Sequence, residues 1–276
     1  MAFARVPFNW ASFRFRSALA WSRGTPKLAH ESKDALFHFL SPEEQPRAAS
    51  REVALRTRYD LEPLASHSTQ TVYRTALSVL DRFDALPGDL LPTDQANIRA
   101  AEVGCADWHY VFALERWLRH SNAMQPRTVE LHGIEIDGHG IYKNFYARCD
   151  HARAYAAQTG NASLHYHVKD FLAWEGADMD VVVMLFPFLV PVSVVLWGLP
   201  LRCFQPAAML SKAASVLRSG GLLLIMTYTD EETRELERLA ATNEQLMKVG
   251  MWPARSNLVN DTDPVDERVL TAVRRM

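Results

Sequence analysis

The sequence predicts an α/β fold: a seven-stranded, mostly parallel sheet with helices on both faces, a C-terminal antiparallel hairpin and an N-terminal helical region. Three observations carry this prediction. From residue 97 onward, short β-rich runs alternate with segments of helical periodicity, the pattern that builds a parallel sheet. The first run ends in Glu102-Val-Gly104-Cys105-Ala106 and opens into a helical pattern, so an acid and a glycine stand at a turn where main chain can lie against a ligand. The last two β patterns are too close together for a helical crossover and must pair antiparallel.

The elements follow in order. Residues 27 to 95 are helical in character, and Ser68 to Leu86 is the clearest helix, with Val72, Ala76, Val79, Leu80 and Phe83 on one face. Pro87-Gly88 ends it, and the Pro- and Asp-containing stretch up to Asp94 reads as a linker. This places a helical region over residues 1–95 and the sheet domain over 96–276. Strands are expected at 97–103, 128–136, 163–169, 180–186 and 222–228. Helices are expected at 108–120, 139–157, 206–218 and 230–248. Pro206 suits a first helical position, where a missing N–H costs nothing, and Gly220-Gly221 is expected to end that helix. Asp230 is placed to cap the last helix, whose acids suit a positive helix end. The closing hairpin is expected from strands at 254–260 and 268–274, joined by a polar turn rich in Asp and Pro.

Composition narrows the function classes. The 276 residues are 48% hydrophobic and 22% charged, with a net charge of -2, so no overall electrostatic pull toward nucleic acid or an anionic membrane exists. Cys105, Cys149 and Cys203 lie far apart with no C-x-x-C spacing, which implies neither a disulfide framework nor a zinc knuckle and fits a reducing cytoplasm. Arg5, Arg14, Arg16, Arg23 and Lys27 precede the first acid, Glu31, and interleave with apolar residues. Both an ordered arm packed on the domain and a transit or membrane-surface segment fit that pattern. Val181 to Leu201 carries no charge, but Pro187, Pro191, Gly198 and Pro200 divide it, so it reads as a buried strand followed by an apolar loop rather than a membrane span.

A parallel sheet that begins with acid-x-Gly-x-small and ends in a hairpin resembles the class I S-adenosylmethionine-dependent methyltransferases over about residues 97 to 276. Glu102-Val-Gly-Cys-Ala-Asp-Trp108 is similar to the family's first motif, acid-x-Gly-x-Gly-x-Gly, with Ala106 and Trp108 at the positions of the second and third glycines. Gly133-Ile-Glu-Ile-Asp137 resembles the end of the second strand, and Lys169-Asp-Phe171 the end of the third. The resemblance implies S-adenosyl-L-methionine as cofactor. It implies contacts from Glu102, Gly104, Cys105 and Ala106 at the first loop, from Glu135 and Ile136 at the ribose, and from Asp170 and Phe171 at the adenine. Phe186 would stand beside the methyl group. The chemistry suits these residue types, because one carboxylate accepts both donors of a ribose diol.

The resemblance also speaks to the acceptor. Family members that methylate amino groups often carry Asn/Asp-Pro-Pro-Tyr/Phe after the fourth strand, where this chain has Leu185-Phe-Pro-Phe188. Leu185 cannot accept a hydrogen bond from an amine. The apolar loop with Phe188, Val190, Val192 and Trp197 therefore points to methyl transfer onto an oxygen or carbon of a small apolar or aromatic acceptor, not nucleic acid. No side chain is singled out as a base. A non-catalytic scaffold with this fold, motivated by Ala106 and Trp108, is one alternative. A nicotinamide-dependent oxidoreductase is another, although positions 104, 106 and 109 read Gly, Ala and His instead of Gly-x-Gly-x-x-Gly.

Other clusters read as structural. His165 and His167 share a strand face near Asp170, a pattern that suits hydrogen-bonded histidines better than a metal site. His139 is expected to start a helix, and Trp108, Tyr110, Phe112 and Trp117 to pack with Val111, Leu114 and Leu118 in the core. Neither a Gly-x-Ser-x-Gly elbow nor a phosphate-binding Gly-Lys-Ser/Thr loop is present.

Overall fold

In a computed structural model of the chain, residues 2–91, 93, 95–256, 258 and 268–276 are described. A 3-10 turn at Ala2–Arg5 leads into α1 (Val6–Leu19), then α2 (Gln45–Arg58), α3 (Glu62–His67) and α4 (Gln70–Asp84). Strands β1 (Asn97–Val103), β2 (Thr128–Glu135), β3 (Leu164–Val168), β4 (Met179–Leu185) and β5 (Leu217–Thr227) follow, with α5 (Val111–His120), α6 (Arg148–Gln158), α7 (Pro191–Leu196) and α8 (Pro206–Val216) between them. The chain finishes with α9 (Asp230–Ala241), β6 (Leu246–Pro253) and β7 (Val269–Arg275).

The strands form one sheet in the order β3-β2-β1-β4-β5-β7-β6. Neighbours from β3 to β5 are parallel, and β7 runs antiparallel to both β5 and β6. Strand order reverses between β1 and β4, which opens a crevice at their carboxyl ends, the place where open α/β sheets bind ligands. An all-parallel dinucleotide fold orders its strands 3-2-1-4-5-6. The antiparallel β7 wedged between β5 and β6 therefore argues against the oxidoreductase alternative.

Alternation along the central strands sorts side chains to two faces. Ala100, Leu131, Val181, Val183 and Leu224 share a core with Leu114 and Leu118 of α5 and with Tyr73, Leu77, Leu80 and Phe83 of α4. Ala101, Ile134, Val182, Met184 and Ile225 pack instead with Leu210 and Ala213 of α8 and Leu236 and Leu239 of α9. All five apolar residues expected on one face of α4 are buried, and Thr69 caps it by accepting from the Val72 N–H at 3.2 Å. The first core runs without interruption from Leu55 and Phe83 into Leu131, across the boundary expected near residue 95.

Several elements depart from expectation. The helix expected at 139–157 begins only at Arg148; residues 139–147 form a loop closed by an Ile141–Ala147 bridge. The Asp150 carboxylate fixes this start by accepting from the Ala147 N–H at 2.9 Å, and it also receives the Arg23 N–H of the N-terminal arm. His139 accordingly lies in a turn and does not start a helix. The helix expected at 108–120 starts at Val111, because Trp108 takes a positive φ of 59°. Gly220 and Gly221 lie inside β5, where the ladder is irregular: a Cβ on Gly221 would fall 2.8 Å from the Arg218 carbonyl.

At the C-terminal end, α9 stops at Ala241 rather than 248, and the first hairpin strand is Leu246–Pro253, upstream of the expected 254–260. An edge strand with mostly exposed or half-buried side chains leaves little alternation to read. Asn257, residues 259–260 and the polar turn lie outside the described residues, as do Pro92 and Asp94 of the linker. The uncharged stretch from Val181 is divided among β4, the short α7 and a 3-10 turn at Leu201–Cys203, so the expected apolar loop holds helix as well. Among the described residues, no helix is long and apolar enough to cross a membrane.

Candidate functional site

The turn leaving β1 is built from three residues in the left-handed region: Gly104 (φ 78°), Ala106 (φ 51°) and Trp108 (φ 59°). Ala106 and Trp108 thus hold the backbone region that glycine favours, at a cost of roughly 1–2 kcal/mol each. Side chains hold the turn in place. The Trp108 indole N–H donates to Glu102 at 2.6 Å, the Ala106 N–H donates to Glu135 at 2.9 Å, and the Tyr166 hydroxyl donates to the Ala106 carbonyl. Trp108 is fully buried beneath the turn, and a Cβ on Gly133 would fall 2.9 Å from its ring. On the other side the turn is open, since a Cβ on Gly104 would meet nothing within 4 Å.

Glu102 and Glu135 stand at the ends of neighbouring strands, and both are buried. Burial pushes the Glu102 carboxyl up to about 7, opposed by the Tyr110 hydroxyl and the Trp108 indole. Glu102 therefore faces the α5 side of the sheet. Glu135 spends both oxygens on main chain, accepting from Ala106 N–H and, at 2.8 Å, from Asp137 N–H. It ties the turn after β1 to the turn after β2. Burial raises its pKa, while the Arg148 charge and the two N–H groups oppose the shift.

Just beyond, Asp137 is held between Arg16 of α1 and Arg148 of α6, the latter at 3.1 Å. Arg16 also donates to the Gly198 carbonyl at 3.0 Å, and Asn9 donates to the Val195 carbonyl at 2.8 Å. These contacts lay α1 across the carboxyl ends of the strands. Ser22 and Arg23 extend the arm by donating to Asp150.

At the ends of β2 and β3, a cavity of about 60 Å³ is lined by Ile136, Asp170, Phe171, Phe188, Cys203 and Met209, among others. Ile136, Asp170 and Phe171, named from sequence, thus come together. Asp170 is exposed, and its carboxylate caps the following turn by accepting from the Leu172 N–H at 2.9 Å. Phe13 of α1 packs in the same cluster as Ile136, Phe188 and Cys203, so the arm abuts the cavity. Phe186 (φ 56°) points elsewhere: its ring packs edge-on against Tyr228 at 5.9 Å, and the Arg268 guanidinium lies over both rings. Cys105 is buried against Trp108.

Reading the sequence missed Asp137, Arg148, Tyr166 and Arg16, whose positions depend on contacts across long stretches of chain. The second acid in Glu135-Ile-Asp137 was a visible signal for the first of them. The expected pair His165 and His167 is joined by His132 of β2, whose Nδ1 lies 3.0 Å from His167 Nε2 while its Nε2 meets Glu130 at 2.9 Å. Burial lowers the pKa of both His132 and His167. Among the described residues no group of three or more His, Cys, Asp or Glu side chains is placed to hold a metal ion.

No protein-family profile matches the sequence, and no curated protein matches it. Solved structures do. A Listeria monocytogenes protein assigned to the class I S-adenosylmethionine-dependent methyltransferases is 14% identical, with 89% of this chain aligned to 79% of that one at a TM-score of 0.51. TrmN from Thermus thermophilus (15% identity, TM-score 0.46, 73% of this chain) and an S-adenosylmethionine-dependent O-methyltransferase from Thermotoga maritima (13%, 0.45, 74%) align less closely. The aligned part spans 48% of the TrmN chain and 65% of the O-methyltransferase chain. The 3-2-1-4-5-7-6 sheet and the Listeria alignment lead to one statement: this chain has the fold of the class I S-adenosylmethionine-dependent methyltransferases.

Proposed function

We propose that the chain is an S-adenosylmethionine-dependent methyltransferase acting on an oxygen or carbon of a small apolar or aromatic acceptor. One observation carries the reading. At the point where strand order reverses, the open side of Gly104 and the cavity of Ile136, Asp170 and Phe171 lie on one edge of the sheet. Phe171 and Ile136 offer apolar walls for an adenine ring, and the exposed Asp170 carboxylate can accept from its amino group. Glu135 already accepts two N–H groups and keeps lone pairs that a ribose hydroxyl can use. When bound, the cofactor supplies a methyl group on a sulfonium that an acceptor displaces in line. Phe188, with Trp197 packed against it, gives the acceptor side an apolar and aromatic lining.

Size sets a condition on binding. Small-molecule sites begin at roughly 300 Å³, so the cavity of about 60 Å³ must widen. The element best placed to yield is α1, which is anchored by polar ties and by Phe13. Titration calorimetry should detect S-adenosylmethionine binding. Asp170→Ala should weaken it at least roughly tenfold, matching the 1.5–3 kcal/mol of a hydrogen bond to a charged group, with a melting curve as control for the lost cap. No binding by the wild type or by the arm-loosened Arg16→Ala variant would overturn the reading.

A scaffold with this fold is the second reading, favoured by the engagement of both Glu135 oxygens and by the narrow cavity. Cofactor binding without labelled product across a broad screen of small acceptors would select it.

A further inference from the structure

Helix α1 leaves most of its large apolar side chains in solvent. Its inner face carries Asn9, Ser12, Phe13 and Arg16, whereas Phe8 (74% exposed), Trp10 (46%), Phe15 (71%) and Leu19 (49%) point outward. Such large outward apolar groups ask for a covering surface. Beside them, Leu196 at the end of α7 and Trp197 just after it are exposed, and α7 contacts the 3-10 turn that precedes α1. Trp21 is also exposed and donates to the Phe145 carbonyl, which brings the exposed Phe145 onto the same edge.

The three segments that form this edge carry charge of one sign. Residues 2–24, 138–149 and 186–206 build it, and none of the three segments contains an Asp or Glu. Arg5, Arg14, Arg23, Lys143 and Arg202 are exposed there. Of the acids beside it, Asp137 and Asp150 are buried and engaged by Arg16, Ser22 and Arg23, Asp107 is half-buried against Tyr142, and Asp170 stands exposed at the cavity that Phe13 abuts. A chain with a net charge of -2 therefore presents one cationic, aromatic edge.

We propose that this edge docks on an anionic lipid surface, with Phe8, Phe15 and Leu19 inserted at the headgroup boundary and the arginines against lipid phosphates. Exposed aliphatic and phenyl groups flanked by arginine suit the interface plane of a bilayer. Aliphatic Leu19 and Leu196 favour lipid over single-stranded nucleic acid, which is held by stacking on aromatic rings. Docking stands apart from methyl transfer and is tested without it.

The full chain is sedimented with phosphatidylcholine vesicles, with and without phosphatidylglycerol. Binding is expected only with the anionic lipid and should weaken as salt rises. Arg5→Gln with Arg14→Gln should cost roughly fivefold per residue. Phe8→Ser with Phe15→Ser should reduce binding by roughly tenfold or more, with an unchanged melting temperature, because both rings already face solvent. Absence of vesicle binding, binding indifferent to all four substitutions, or retention only on a single-stranded RNA oligonucleotide would overturn the proposal. So would a dimer in sedimentation velocity that Phe8→Ser with Phe15→Ser dissolves and that fails to bind vesicles.

Discussion

Helices α4 and α1 both cover the sheet, yet they are attached by different physics. Tyr73, Ala76, Leu77, Leu80 and Phe83 of α4 are at most 1% exposed and join the core shared with β1, β2 and β4. In α1 only Asn9 and Phe13 are buried, and Asn9, Arg16 and the following Ser22 and Arg23 make polar ties to carbonyls and carboxylates. Hydrophobic attachment cannot be undone without exposing surface to water, whereas polar ties exchange for water at little net cost. The acids beside each helix differ in the same sense. Glu102, on the α4–α5 side, is held by neutral donors; Asp137, under the arm, is held by two arginines. A fixed floor and a cover held by polar ties are what the proposed cofactor site needs.

The contrast breaks or sharpens on four measurements. Leu80→Ala should cost about 2–5 kcal/mol in urea unfolding, the range for a fully buried leucine; a loss near zero would show that α4 is not part of the main core. Glu102→Gln comes next. A carboxyl with a raised folded-state pKa stabilises fully below its unfolded value near 4.5 and loses that contribution as pH climbs through about 7. The variant, which does not titrate and still accepts from Trp108, should therefore gain about 3 kcal/mol on the wild type between pH 4 and pH 8. A pH-independent difference would mean that Glu102 stays ionised throughout.

Arg16→Ala should cost about 1–2 kcal/mol, because Asp137 keeps Arg148. Its signature is local: hydrogen exchange should accelerate over residues 6–19 and stay unchanged over 70–84. Equal acceleration in both would dissolve the distinction between floor and cover. Phe15→Ser should move stability by no more than about 0.5 kcal/mol, and a larger loss would place that ring in the fold rather than on the docking edge.

Where side chains alternate strongly, the sequence is a sufficient guide. Helix α4, β1 and β2 are legible from a face that must be dry, and β4 and β5 from short continuous apolar runs. Legibility fails where burial is partial: β6 is an edge strand with a bulge, and its Leu246 and Met247 continue the helical pattern of α9. It fails again at 139–147, where Gly138 and Gly140 flank His139 and contacts from Trp21 and Arg23 of the distant arm replace the expected helix. In the site, Ile136, Asp170 and Phe171 were readable from their places at strand ends, and the structure gathers them around one cavity. The same logic named Glu102 and Glu135, but strand position alone says nothing about which way a carboxylate turns.

The chain's sequence by itself determined the sheet, the parallel run of its first five strands and the antiparallel close, since hydrophobic periodicity and connection length leave few other arrangements. Tertiary structure alone decided the fate of the charged groups. Glu102 went to the Trp108 indole, Glu135 to two main-chain N–H groups, and Asp137 to arginines 121 and 11 residues away in the chain. Periodicity records which residues avoid water, whereas the partner of a buried charge is set by whichever donor the finished fold brings within reach.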